Sequence, residues 1–358
     1  MTRRTFSAAA LASQVRAAGG PIEVALLTHA DGPHLGAYLE GLAKTGEASA
    51  VHLCDAKGST FESARKALGA KLAGTYTSPR ALFEARKPPL AIVTMEAAAA
   101  PPAINAALDA GCHVMAEKPA CVRAADFAPL AAKANANGRQ LMLALANRVD
   151  PVMREARSLV ADGKIGRVYG MELHTIADQT RLTRAEYQRS WFSSKARGGG
   201  GHLIWLGIHW LDLAMFLAGS KITDVAGFTA NVGGQPIDVE DSAAISFRFD
   251  NGTLGNITSA YFLDKGKHLF IKIWGSDGWI EINHGSGDPL EWYSKGKTGR
   301  YQAPDGVVTG YTAWVRHVVR AAAGMEPPAL SPDESLYVLK TIFASYKAAE
   351  SGRSQRVT

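Results

Sequence analysis

The sequence predicts an α/β fold in two parts: a doubly wound parallel sheet, then an α+β domain with a large, mostly antiparallel open sheet. Three observations predict it. Short apolar runs alternate with helical patterns as far as residue 147, the signature of βαβ units. Across residues 222–282 the text changes to period-2 strands bounded by DNG, KGK and SDG turn signals. The chain has 358 residues, 47% hydrophobic and 20% charged, enough for two cores.

The elements follow in order. Residues 22–27 (IEVALL) form a first strand, then the turn-rich THADGPH and a helix reaching Lys44. Residues 48–54 form a second strand that stops at Asp55, and a helix covers 61–68. A third apolar run at 89–94 leads to a helix at 102–110. The fourth strand, 113–116, runs into Glu117-Lys118-Pro119; a helix at 124–136 and a strand at 140–145 complete the first unit. The reading therefore divides the chain into a tail at 1–20, a nucleotide-binding sheet domain at 21–147 and a second domain at 148–358. The second begins with a helix (151–162) and a strand (167–175), continues through the period-2 strands as an antiparallel meander, and closes with helices at 311–323 and 333–350.

Bulk charge narrows the function classes. The net charge is +6, but the basic residues are scattered, so no nucleic-acid footprint is expected. Three cysteines without CxxC spacing predict free thiols rather than a disulfide framework or zinc ribbon. No run reaches the ~18 apolar residues of a membrane span. Thr2-Arg3-Arg4-Thr5-Phe6 resembles the start of a twin-arginine export signal, so the expected location is the cytoplasm or, by export, the periplasm.

Residues 198–212, GGGGHLIWLGIHWLD, concentrate polar groups on an apolar helix. At about 100° per residue, His202, Trp205, His209 and Asp212 share an arc of about 80°. A buried polar stripe needs partners, because an unpaired group costs about 1–3 kcal/mol; the stripe should face a cavity, a substrate or another domain. A metal site is not expected, because a zinc helix spaces its histidines at i, i+4, whereas His202 and His209 are seven apart.

Six stretches then occur in order: AALDAGCHVMAEKP, ALANRVDP, GKIGRV, WFSSKARGGGGHLIWLGIHWLD, VEDSAAISFRFDNGTLGNI and IKIWGSDGWIEI. Together they resemble the Gfo/Idh/MocA family over nearly everything after residue 20. The resemblance implies a Rossmann domain, a C-terminal open-sheet domain, a nicotinamide cofactor between them, sugar- or cyclitol-like substrates, and homo-oligomers formed through the C-terminal sheet. Thr28, Gly32, Asp55, Glu117 and Lys118 are then the expected cofactor-binding residues. Lys118, His209 and Asp212 are the expected catalytic set, and Arg148, Trp191, His202 and Trp205 the substrate-binding set. Lys118, at a strand's C-terminal end, suits stabilisation of an alkoxide, and His209 acceptance of a proton. Asp212 anchors structure or orients His209. A carboxylate at Asp55 favours NAD over NADP by gripping the adenosine ribose.

The chain departs from that pattern in two places. The G-x-G-x-x-G fingerprint is replaced by THADGPHLG, with Gly only at positions 32 and 36; Asp31 brings a negative charge and Pro33 removes an amide donor. Trp205 stands where the family usually carries a substrate-gripping aspartate, and offers a stacking face instead. Three functions compete: an NAD(P)-dependent oxidoreductase, a lyase or glycosidase working through transient oxidation, and a non-catalytic member without cofactor.

Overall fold

The computed structural model describes residues 19–283 and 289–358; the Arg3-Arg4 pair and the reading built on it lie outside them. The first unit runs β1 (Ile22–Thr28), α1 (Leu35–Lys44), β2 (Ala48–Asp55), α2 (Phe61–Leu68), β3 (Leu72–Tyr76), α3 (Pro79–Ala85), β4 (Leu90–Thr94), α4 (Ala100–Asp109), β5 (His113–Ala116), α5 (Ala124–Ala136) and β6 (Leu141–Leu143). Its six strands are ordered β3-β2-β1-β4-β5-β6 and all pair in parallel. β1 from Val24 onward and all of β4 are buried and mostly apolar because helices cover both faces of the sheet. The sequence reading passes over β3 and α3. β3 is an edge strand, only half-buried, so it lacks a solid apolar run. α3 did carry a readable start: Ser78 accepts from the Ala81 amide and Pro79 follows it.

The second unit contains α6 (Pro151–Ala161), β7 (Val168–Asp178), α7 (Ala185–Arg189), α8 (Lys195–Gly198), α9 (Ile208–Ala218), β8 (Ile222–Ala230), β9 (Ser242–Phe249), β10 (Leu254–Leu263), β11 (Lys267–Gly275), β12 (Gly278–Asn283), β13 (Leu290–Ser294), β14 (Lys297–Tyr301), α10 (Gly310–Ala322), α11 (Pro332–Ser351) and β15 (Gln355–Arg356). Nine strands form one sheet in the order β14-β13-β12-β11-β7-β10-β9-β8-β15. This corrects the simple meander. β7 is inserted between β10 and β11, parallel to the former and antiparallel to the latter, so the sheet is mixed. Inward residues Met171, Leu173, Ile257, Ile271 and Ile273 are at most 2% exposed, which is the buried half of the period-2 pattern.

The last helices cross back to the first sheet. Ser335 of α11 accepts from the Leu143 amide at 3.2 Å and donates to the Leu141 carbonyl at 3.0 Å. Val315 of α10 packs on Gly41 of α1 so closely that a Cβ there would fall 2.8 Å from it. Residues after 148 thus complete the core of both units. One stretch, Lys195–Ala218, is long and apolar enough to cross a membrane, with mean hydropathy 1.3, but 78% of its apolar window is buried in the protein. That amends the expectation of no such stretch, and the burial shows what its apolar surface packs against.

Candidate active site

The first sheet reverses direction of winding between β1 and β4, and a crevice opens there beyond the strand ends. Register aligns those ends: Thr28 pairs with both Asp55 and Thr94, and Val93 pairs with Ala116. Thr28, Gly32, Asp55, Glu117 and Lys118 are therefore brought to one rim.

The loop after β1 folds tightly over this rim. A Cβ on Gly32 would meet Thr28 Oγ1 at 2.3 Å and the Thr94 carbonyl at 2.7 Å, so only glycine fits. Thr94 Oγ1 donates to the Pro33 carbonyl at 2.5 Å. α1 then starts without a side-chain cap, its N-cap His34 in the left-handed region at φ 58. An uncapped helix start beside a glycine cradle suits a pyrophosphate despite the degenerate fingerprint. Beside it lies a largely apolar cavity of about 260 Å³, lined among others by Leu27, Cys54, Pro79, Met95 and Ala103, which suits an adenine ring. Glu96, a second negative charge near this crevice, is neutralised by Arg197, whose Nε and Nη2 donate to its two oxygens at 2.8 and 2.5 Å.

Asp55 behaves differently from a free ribose ligand. Oδ1 accepts from the Lys57 amide at 3.0 Å, and Oδ2 accepts from Ser59 Oγ, the Thr60 amide and Thr60 Oγ1 at 2.8–3.0 Å. Burial opposes the charged form, but these hydrogen bonds outweigh it and hold the carboxyl below its ordinary range. The residue closes its own loop and presents a fixed negative charge at the end of β2.

The catalytic candidates meet at the end of β5. Lys118, 2% exposed and joined to Pro119 by a cis peptide, donates to the Trp205 carbonyl at 2.6 Å and lies 4.8 Å from that residue's ring centroid. Burial pushes its ammonium down to about 8; Glu117, 3.9 Å away, opposes that, and Arg181 adds to it. Glu117 accepts from Tyr38 Oη, and its carboxylate lies 3.3 Å from His34 Nδ1. Tyr311, from distant α10, contacts the same imidazole nitrogen at 2.8 Å. His209 is held well below its ordinary range by burial, then by Lys118 and His34, so it is neutral near pH 7. Its Nδ1 is buried without a partner.

The shared polar stripe is corrected by the backbone. Leu203–Gly207 is a π-helical segment, and regular α-helix begins only at Ile208. The wider turn breaks the assumed 100° progression, as π-bulges do. His202 points instead to β10, with Nδ1 2.7 Å from Ser259 Oγ and its ring edge-on to Tyr261 at 4.3 Å. Burial, then Arg181 and Lys118, push it down to about 3. Asp212 accepts from Arg148 Nε and Nη2 at 2.7–3.1 Å, and Arg148 Nη1 also donates to Glu334 at 2.8 Å. Both are buried, so Asp212 and Arg148 satisfy each other instead of facing Lys118. Trp205 is 4% exposed and packs against Trp191 and Phe192 at 4.8 and 4.6 Å. Its face is turned to Lys118. Trp191, 1% exposed, donates to the Asp31 carbonyl at 3.2 Å and thereby ties this aromatic cluster to the β1 loop.

Sequence reasoning missed His34, Tyr38, Tyr311 and Arg181. The left-handed His34 after Gly32-Pro33 was a local clue. Tyr311 had none, being 277 residues away from its partner. Among the described residues no group of three His, Cys, Asp or Glu side chains is placed to hold a metal, and Cys54, Cys112 and Cys121 are free and buried.

Comparison with known proteins agrees with this geometry. A family model described as an oxidoreductase family with an NAD-binding Rossmann fold matches residues 32–145, and the GFO/IDH/MocA C-terminal domain matches residues 153–281. D-glucoside 3-dehydrogenase of Escherichia coli K12 is 29% identical over 171 residues, 47% of this chain and 46% of that protein. The first curated relatives are thus matched over less than half of their own length. An oxidoreductase domain protein from Kribbella flavida has the same fold, with TM-score 0.84 and 24% identity over 95% of this chain and 100% of that one. Levoglucosan dehydrogenase, solved with NADH and L-sorbose, superposes with TM-score 0.83 and 17% identity over 95% and 99% of the two chains. With a crevice at the strand ends, a buried lysine at its rim and both halves matched, the chain belongs to the Gfo/Idh/MocA oxidoreductase family, its first half an NAD-binding Rossmann domain.

Proposed function

We propose that the protein is an NAD-dependent dehydrogenase or reductase that interconverts an alcohol and a ketone on a sugar- or cyclitol-like substrate. The observation that carries this reading is Lys118: a dehydrated amine, pushed down to about 8, between the nucleotide crevice and neutral His209. Bound nicotinamide supplies the two-electron acceptor or donor. In oxidation the substrate carbon loses hydride and its hydroxyl proton passes to neutral Lys118, with the reverse in reduction. Two cations side by side in a buried site are unfavourable, and Lys118 is the stronger base. The proton therefore goes to Lys118, and His209 stays neutral and hydrogen-bonds the reacting oxygen. This exchanges the roles expected from sequence. The α1 start and Gly32 loop would hold the pyrophosphate. The negative Asp55 at the adenosine end supports NAD over NADP by repelling a 2′-phosphate.

The test is NADH formation by the full chain from a panel of sugars and cyclitols, with Lys118→Ala beside it. Wild-type turnover lost by Lys118→Ala supports the reading. Product without net NADH would replace it with transient oxidation by a lyase or glycosidase, and no nicotinamide binding by calorimetry would replace it with a non-catalytic role.

A further inference from the structure

Arg181 sits in the loop that follows β7, and nothing above uses it. The residue is exposed, yet its guanidinium is fixed in place. Nη1 donates to Tyr261 Oη at 3.0 Å, and the guanidinium carbon lies 5.4 and 5.9 Å from the ring centroids of Tyr187 and Tyr261. A small satellite core of Ala177, Leu182, Tyr187 and Tyr261 packs the loop on Phe192 and Leu206, beside Trp205. The guanidinium therefore does not swing freely in solvent.

Its charge reaches the catalytic centre, where it disfavours the cationic forms of both Lys118 and His202. Among the described residues no carboxylate forms an ion pair with it. Asp178, the carboxylate whose charge acts on it, accepts from the Thr180 amide at 3.2 Å and from Thr180 Oγ1. Glu240 accepts from the Gly201 and Leu203 amides and from Tyr346 Oη at 2.8–3.0 Å. Glu117 is held by Tyr38. A guanidinium carries five donors in a rigid fork, and here one protein acceptor takes one of them. Tyr261, which the guanidinium bonds, stands edge-on to His202 at 4.3 Å, and Tyr187 stacks on Phe192, which packs against Trp205 beside Lys118; the guanidinium thus stands at the margin of the aromatic cluster that Lys118 faces, with donors left for bidentate contact with a planar anion.

We infer that Arg181 binds a substrate carboxylate, so that the sugar-like substrate is an acid of the uronic or aldonic type rather than a neutral sugar. This rests on the dehydrogenase reading and deepens it. The aromatic pair beneath the guanidinium sets its place, and the proposed substrate would reach from Arg181 along the Phe192–Trp205 cluster toward Lys118. Arg181 is a specificity residue here, distinct from the groups that move the proton.

The experiment uses the full chain with NAD. Binding of D-glucuronate, D-galacturonate and D-gluconate is compared by calorimetry with D-glucose, D-galactose and myo-inositol, and NADH formation is followed in parallel. At least one acid should bind roughly 10–100-fold more tightly than its neutral counterpart. Arg181→Gln should raise KM for that acid by a similar factor while moving kcat little, and should leave neutral compounds unchanged. Arg181→Lys, which keeps the charge and loses the fork, should restore part of the loss and shows that the site still folds. Neutral sugars oxidised as well as acids, or an acid preference surviving Arg181→Gln, would overturn the inference while leaving the dehydrogenase reading intact. Failure of every compound to yield NADH would instead overturn the dehydrogenase reading, and the calorimetric arm would then judge Arg181 by itself.

Discussion

At the scale of the residue, Lys118 shows how burial makes a side chain reactive at the cost of stability. A lysine 2% exposed loses most of its hydration, and Glu117 restores only part of it. Its neutral form accepts the proton in oxidation, so kcat/KM for the alcohol should rise with pH through about 8 and then level off. Lys118→Arg, always charged, should oxidise no substrate; a wild-type profile flat across this range would take the proton away from Lys118. The linkage has a definite sign. The folded pKa lies below the unfolded value of about 10.4, so burying this lysine destabilises the protein below about pH 8, and that penalty disappears as pH rises past the unfolded value. Lys118→Met should therefore stabilise the inactive protein at neutral pH by about 1–3 kcal/mol, read from urea unfolding.

At the scale of the element, the π-helical turn at Leu203–Gly207 decides which residues meet. It sends His202 to the sheet, leaves the Trp205 carbonyl for Lys118, and starts a fresh α-helical register in which His209 and Asp212 face different partners. Asp212 is one end of a buried ion pair that joins α9 to Arg148 and, through Glu334, to α11. Burial raises its pKa although Arg148 opposes the shift. Asp212→Asn leaves Arg148 partly uncompensated and should cost about 3–5 kcal/mol, measured by denaturant unfolding, while the folded fraction keeps near-normal kcat. A drop in kcat far beyond the loss of folded protein would return Asp212 to the chemistry. A regular helix places His202, Trp205, His209 and Asp212 on one face; one wide turn, undetectable in a Leu- and Ile-rich stretch, separates them.

At the scale of the whole molecule, the nine-stranded sheet has one face packed against helices such as α9 and α11 and one face carrying exposed large side chains. Phe228, Leu254 and Trp274 are 76%, 58% and 40% exposed, and Trp279 stacks on Tyr293 at 6.3 Å. Large apolar side chains clustered on an open sheet face mark association surfaces, so sedimentation should show a homo-oligomer. Trp274→Glu with Phe228→Glu should dissociate it without unfolding the protomer; a monomeric wild-type protein would remove the expected assembly.

The sequence by itself determined the alternation of strands and helices, the parallel and mostly antiparallel character of the two sheets, the place of Lys118 at a strand end, and the family. These follow from near neighbours, because periods of 2 and 3.6 residues and turn chemistry are local properties. Only the tertiary structure decided that β7 lies between β10 and β11, that Asp212 belongs to Arg148, and that Lys118 meets Trp205. Lys118 meets Trp205 across 87 residues, and Arg148 meets Glu334 across 186. A polar side chain's role depends on the burial and the partner it finds at such separations, and neither is encoded in the residues beside it.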